Sequence, residues 1–205
     1  MREVSTQGRG RPKTLDRDQV LQEALMAYWS RGTKNVSISD ICLATGASKP
    51  GVYREFGNDD GLKASALETY YILAVQPLID IFEKDQSMCE AIDASVDYMT
   101  QDRTELGIPQ GCLFVNMRAQ SQQLGPLTRE TLNAFRRSLL SAFAAWVERS
   151  KARSECTNIP TDIAALYIDA QHGGAMRMQR EGVPNETVAN VLRMALCTLV
   201  VRSAQ

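Results

Sequence analysis

The residues with the most reactive side chains are one histidine, His172, and five cysteines, Cys42, Cys89, Cys112, Cys156 and Cys197. One imidazole cannot build a multi-histidine zinc site, and it leaves few partners for a histidine-activated nucleophile. The cysteines stand far apart without a CxxC pair, and no HExxH, GxSxG or phosphate-binding glycine loop is present. The pattern therefore points to no enzyme, no metal and no cofactor. The segment GRGRPK offers a different chemistry, with Arg9, Arg11 and Lys13 alternating with Gly10 and Pro12. Arginines on so slim a backbone either lie along the negative minor groove of A·T-rich DNA or stay solvated as a tail.

The bulk composition is that of a soluble globular protein, 44 % apolar and 23 % charged over 205 residues, enough for a sizeable core. The net charge of −1 hides an asymmetry. Residues 1–63 carry ten Lys/Arg against eight Asp/Glu, and residues 64–205 carry thirteen against sixteen. Positive charge is thus placed where a polyanion would be met. The apolar run MALCTLVV (194–201) is too short to span a bilayer. An odd set of unpaired cysteines, with no stretch of signal-peptide type, fits a reducing cytoplasm.

Helical periodicity dominates, and the expected fold class is all-α with about nine helices. Asp16 caps a first helix with an apolar stripe from Val20 to Trp29, and Gly32 stops it. Ser37 caps a short second helix in a capping box with Asp40, and Gly46 ends it. Ser48 caps a third over Lys49–Phe56, and Asn58 a fourth that begins with Asp59 and Asp60 and bends or ends near Pro77. Further helices are expected at about 87–102, 109–122, 126–154, 162–181 and 184–203.

The stretch SISDICLATGASKPGVYREF (37–56) reads as two short helices around a tight turn, a helix-turn-helix with Ile38, Ile41, Val52 and Phe56 inward. Its wording resembles the tetR family of transcriptional regulators in Asp40-Ile41, Gly46, Ser48-Lys49, Gly51, Tyr53 to Phe56, and Leu62. The resemblance implies a basic arm (1–13), an N-terminal three-helix DNA-binding domain (14–74) and a C-terminal helical domain (75–205) for effector binding and dimerisation. It implies a cytoplasmic homodimeric repressor that leaves a palindromic operator when a small-molecule or electrophile effector binds. The expected DNA contacts are Arg9, Arg11, Lys13, Ser39, Ser48, Lys49, Gly51, Tyr53, Arg54 and Lys63. Tyr53 either reaches a phosphate or packs beneath its helix. Where the family usually has a lysine at the start of the fourth helix, this chain has Asp59, followed by Asp60. Those acids leave open a second reading, an all-α interaction module with a degenerate helix-turn-helix.

In the C-terminal part the candidate effector contacts are Tyr98, Cys112, Asn116, Trp146 and His172, each of which also reads as core. Gly111-Cys112-Leu113 resembles a motif in one branch of the family. At a helix start it suggests a stabilised thiolate, and a buried apolar thiol is the alternative. His172, followed by Gly173-Gly174, is expected to interrupt its helix beside a site. The apolar pair 162–203 is expected either to cover a symmetry mate or to be buried within one chain.

Overall fold

The computed structural model describes residues 15–201, so Arg9, Arg11 and Lys13 lie outside the described residues. Helix α1 (Arg17–Arg31) begins at Asp16, whose carboxylate accepts the Gln19 N–H at 3.1 Å, and it buries Val20, Leu21, Ala24, Leu25 and Tyr28. The reciprocal Ser37–Asp40 box starts α2 (Ile38–Thr45), and Gly46 ends it at φ 69°, a left-handed conformation that favours glycine. Ser48 caps α3 (Lys49–Phe56), and Asn58 caps α4 (Asp59–Tyr70) by accepting the Gly61 N–H at 2.8 Å. All four caps are those expected from the sequence.

The irregularity expected at Pro77 falls just before it. Residues Tyr71–Val75 form a π turn, after which α5 (Gln76–Glu83) continues the same rod. Proline has no N–H for the preceding turn and its ring crowds that turn's carbonyl, which a widened turn relieves without breaking the rod. Next come α6 (Met88–Thr100), α7 (Leu113–Ala119), α8 (Pro126–Ala152), α9 (Thr161–Arg180) and α10 (Asn185–Leu196). With α4 and α5 counted as one rod, the described residues form nine α-helical rods.

Three expectations need correction. The helix placed at 109–122 starts only at Leu113, because Gly111 at φ 80° turns the chain first. The last helix ends at Leu196 and a short tight turn, and the chain then runs extended. There Thr157 N–H donates to the Leu199 carbonyl and Val201 N–H to the Glu155 carbonyl, both at 2.8 Å, around an antiparallel Cys156–Val200 bridge. A short apolar run does not by itself distinguish helix from strand. Finally, α9 passes through Gly173 and Gly174 without a break.

Two junctions join the N-terminal helices to the rest. At the first, Trp29 of α1 meets Tyr70 of α4 edge-on, with ring centroids 4.9 Å apart, and donates its indole N–H to the Gly111 carbonyl at 3.2 Å. Tyr70 in turn donates its hydroxyl to the Cys112 sulfur at 3.1 Å. A Cβ on Gly111 would stand 2.9 Å from the Met176 carbonyl oxygen of α9, so this position requires glycine for space as well as for its positive φ. The Gly-Cys pair is thus a packing joint between α1, α4, α7 and α9.

At the second junction, α8 begins at Gly125, which has no side chain to cap it. The cap comes from Asp60 at the start of α4. Its carboxylate accepts the Leu127 N–H at 2.8 Å, the Thr128 N–H at 3.2 Å and the Thr128 hydroxyl at 2.6 Å. A side chain on Gly125 would overlap that carboxylate. Burial alone would raise the Asp60 pKa, but the hydrogen bonds from Thr128 and Leu127 outweigh it and hold the acid below its usual range. Asp60→Ala should therefore cost about 1–2 kcal/mol, the worth of a helix cap. The loss should shrink as pH falls through the depressed pKa, where the native carboxylate itself is protonated. Urea titrations at neutral and acid pH measure both; equal stability of variant and parent at neutral pH would contradict the assignment.

Candidate nucleic-acid interface

Helix α3 projects its N-terminal end outward. Ser48, Lys49, Tyr53 and Arg54 are exposed, and Val52 and Phe56 are buried against the domain core. Tyr53 is 47 % exposed, so it does not pack beneath its helix. Ser39 of α2 and Tyr53 line one polar concavity of about 400 Å³, together with Lys34, Ser37, Asp59 and Lys63. Ser48 and Arg54 lie on a separate concavity with Gly46 and Asp16. Lys34, exposed in the turn before α2, was not among the expected contacts. Its only sequence signal is a basic residue ahead of the Ser37 cap.

Two expected DNA contacts are placed otherwise. Gly51 is buried, and a Cβ there would meet the Ser48 hydroxyl at 3.0 Å and Leu15 at 3.5 Å, so its small size makes room for the cap and the α1 entrance. Lys63 is largely covered, ion-paired with Asp59 and placed 6.0 Å from the centre of the Tyr28 ring. Its ammonium is already engaged. Asp59 thus has a cationic partner one turn along α4, and Asp60 points at α8 (above) instead of at open solvent.

The expected effector residues do not form one site. Tyr98 and Cys112 lie near the Trp29–Tyr70 junction, where Tyr98 donates its hydroxyl to the Ala74 carbonyl at 2.9 Å. Burial pushes the Cys112 thiol up despite its hydrogen bonds, so the stabilised thiolate expected at a helix start is not what the fold provides. His172 is buried on α9 near Asp169, which takes ion pairs from Arg118 at 2.8 Å and Arg136 at 3.2 Å. Burial lowers the His172 pKa to about 4, and its Nδ1 has no partner. Asn116 on α7 also keeps an unpartnered buried Nδ2. Trp146 packs on Phe82, with ring centroids 4.8 Å apart, ten residues along α8 from Arg136. At 1.5 Å per residue that is roughly 15 Å along the helix axis from Arg136, the α8 partner of Asp169.

Comparison with known proteins agrees with this geometry. Residues 20–65 match the family described as bacterial regulatory proteins, tetR family. The transcriptional repressor ComR of Escherichia coli is 33 % identical over 109 residues, 53 % of this chain and 52 % of that protein. The chain thus aligns with about half the length of that relative. The repressor BdcR of Escherichia coli is 22 % identical over 167 residues, 80 % of this chain and 83 % of that protein. Among solved structures, a cysteine mutant of the tetR-family regulator CifR complexed with 26-base-pair double-strand operator DNA superposes with a TM-score of 0.77 at 25 % identity, covering 91 % of this chain and 98 % of that one. The helix-turn-helix segment thus matches the tetR family of bacterial regulatory proteins over residues 20–65, and the chain as a whole has the fold of solved regulators of that family.

Proposed function

We propose that the protein is a sequence-specific DNA-binding transcriptional repressor that acts as a homodimer and releases its operator when a small molecule binds the C-terminal domain. The observation that carries the reading is the outward N-terminal end of α3, with Ser48, Lys49, Tyr53 and Arg54 exposed on a domain whose helices are all capped. Such an end offers backbone N–H groups and short side chains to base edges and phosphates. Ser39 and Lys34 add phosphate contacts from the α2 side, and Arg9, Arg11 and Lys13 extend the footprint into the adjacent minor groove. The interaction-module reading loses its motive, because Asp59 and Asp60 are accounted for by Lys63 and by the α8 cap. A mobility-shift titration on the DNA upstream of its own coding region, at several salt concentrations, tests the proposal. Steep salt dependence with sequence preference supports it; binding equal to that of unrelated DNA would refute it.

Dimerisation is supported by an apolar face that nothing among the described residues covers. Ile163 and Leu166 on α9 and Val191 and Met194 on α10 are exposed, Met194 to 70 %. Gly173 and Gly174 continue the α9 face, with open space where a side chain would stand. Two copies joined here by a two-fold axis would carry paired α3 helices, as a palindromic operator requires. Leu166→Arg together with Met194→Arg should leave a folded monomer in analytical ultracentrifugation and weaken operator binding by about tenfold or more. A variant that still sediments as a dimer would move the interface elsewhere.

Asp59 gives a prediction of opposite sign. Asp59→Lys removes a carboxylate from the concavity lined by Tyr53 and Ser39 and frees Lys63 from its partner. Operator binding should tighten, and its salt dependence should steepen by about one to two released counterions per subunit. An unchanged slope would mean that neither residue faces the duplex.

A further inference from the structure

A groove of about 650 Å³ runs between α1 and the segment from the π turn to the loop after α6, outside the helix-turn-helix surface. Leu25 and Trp29 form one wall, Leu73 and Pro77 the other, and Tyr98 with Arg103 closes one end. We propose that this groove is a binding site for a small amphipathic anion, an aromatic or medium-chain molecule ending in a carboxylate or sulfonate. The proposal rests on the effector reading above but places the molecule at the seam between α1 and the C-terminal domain, and its binding half holds or fails whether or not the protein binds DNA.

Three observations carry it. First, the groove has the size of a small-molecule site and is walled by apolar side chains, yet Leu73 remains 63 % exposed. Second, Leu73 and Ala74, which line the groove, belong to the π turn that accommodates Pro77, an irregularity frequent at functional sites. Third, Arg103 is a cation whose hydrogen bonds end on neutral oxygens. Its guanidinium donates to the Tyr98 carbonyl and the Gln101 side-chain oxygen, both at 3.1 Å, and lies 4.7 Å from the centre of the Tyr98 ring. It enters none of the ion pairs among the described residues.

The remaining charges set the ligand's direction. Arg17, in the α1 wall, is already paired with Glu55 at 2.9 Å, and Asp18 beside it repels an anion. The negative head is thus directed to Arg103, and the apolar body lies along Trp29 and Leu73. A ligand in this position touches α1 of the DNA-binding domain and the loop after α6 at once, so occupancy bears on how the two domains sit.

Anilinonaphthalene sulfonate and its uncharged relative phenylnaphthylamine are suitable probes, with fluorescence as the readout and near-ultraviolet circular dichroism to verify the fold. The sulfonate should bind once per chain. Arg103→Gln should weaken it about tenfold and leave phenylnaphthylamine unchanged, because only the charged head is lost. Leu73→Glu, at an exposed position, should weaken both probes. If both variants bind the sulfonate as the parent does, or if binding occurs only with loss of the near-ultraviolet signal, the proposal is overturned. Operator release by the sulfonate is scored separately. Binding without release would overturn only the regulatory half.

Discussion

Gly61→Ala is expected to destabilise the protein by about 3 kcal/mol and to lower operator affinity even where the variant remains folded. The position is the third residue of α4, and its φ is ordinary, so the demand for glycine comes from space alone. A Cβ there would fall inside the Phe56 carbonyl oxygen, the last residue of α3. That obstacle is backbone and cannot rotate away. Only a shift of α4 against α3 relieves it, and such a shift re-aims Ser48, Lys49 and Tyr53. A glycine in the same neighbourhood supplies the contrast. Gly57, at φ 77° and ψ −60°, has nothing within 4 Å of a built Cβ, so alanine there carries the backbone strain of a tight turn, about 1–3 kcal/mol, with no displacement of α4 and no loss of operator affinity. Urea midpoints and operator titrations of the two variants give the comparison. Gly61→Ala with the parent's midpoint would show that α3 and α4 do not approach as described.

The four N-terminal helices were legible because their determinants are local. Ser37 with Asp40, Ser48 with Gly51 and Asn58 with Gly61 each complete a cap within three residues. What the sequence concealed is held by distant partners. Asp60 reads as an acid opposed to DNA until Thr128, sixty-eight residues away, is seen to use it. Cys112 reads either as an activated thiol at a helix start or as a buried apolar one until Tyr70 and the surrounding helices are seen to cover it. Gly51 reads locally as a DNA-facing glycine, and its burial beside Leu15 shows only in the folded chain. The effector residues shared an apolar or polar type but no register along α6 to α9, so spacing could not say which of them meet.

His172 should give the protein an acid-sensitive stability. Its folded pKa of about 4 lies below the ordinary 6.5, first because of burial, with Arg118 adding to the lowering and Asp169 opposing it. The unfolded chain takes up a proton as pH falls through 6.5, whereas the native imidazole stays neutral until about 4. Stability is therefore full above the unfolded pKa and is lost as pH falls through this window. The loss between pH 7 and 5 should be about 2 kcal/mol. Asp60 and Asp169, both held below the usual carboxylate range, contribute their own losses only at lower pH. His172→Gln should flatten the pH 7 to 5 slope in urea titrations by about that amount, whatever its own stability. A slope equal to the parent's would place the acid sensitivity in another group.

The Asp60 clasp has a consequence for synthesis. Translation delivers α1 to α4 well before Leu127 and Thr128, the groups that Asp60 holds. Trp29 likewise waits for Gly111. The head emerging from a ribosome thus has its caps but neither of its two ties to the later chain. Its fourth helix is free to tilt until α8 has been made. A nascent chain arrested before residue 125 should therefore display the recognition surface on an unanchored support, and the finished grip belongs to the complete chain alone.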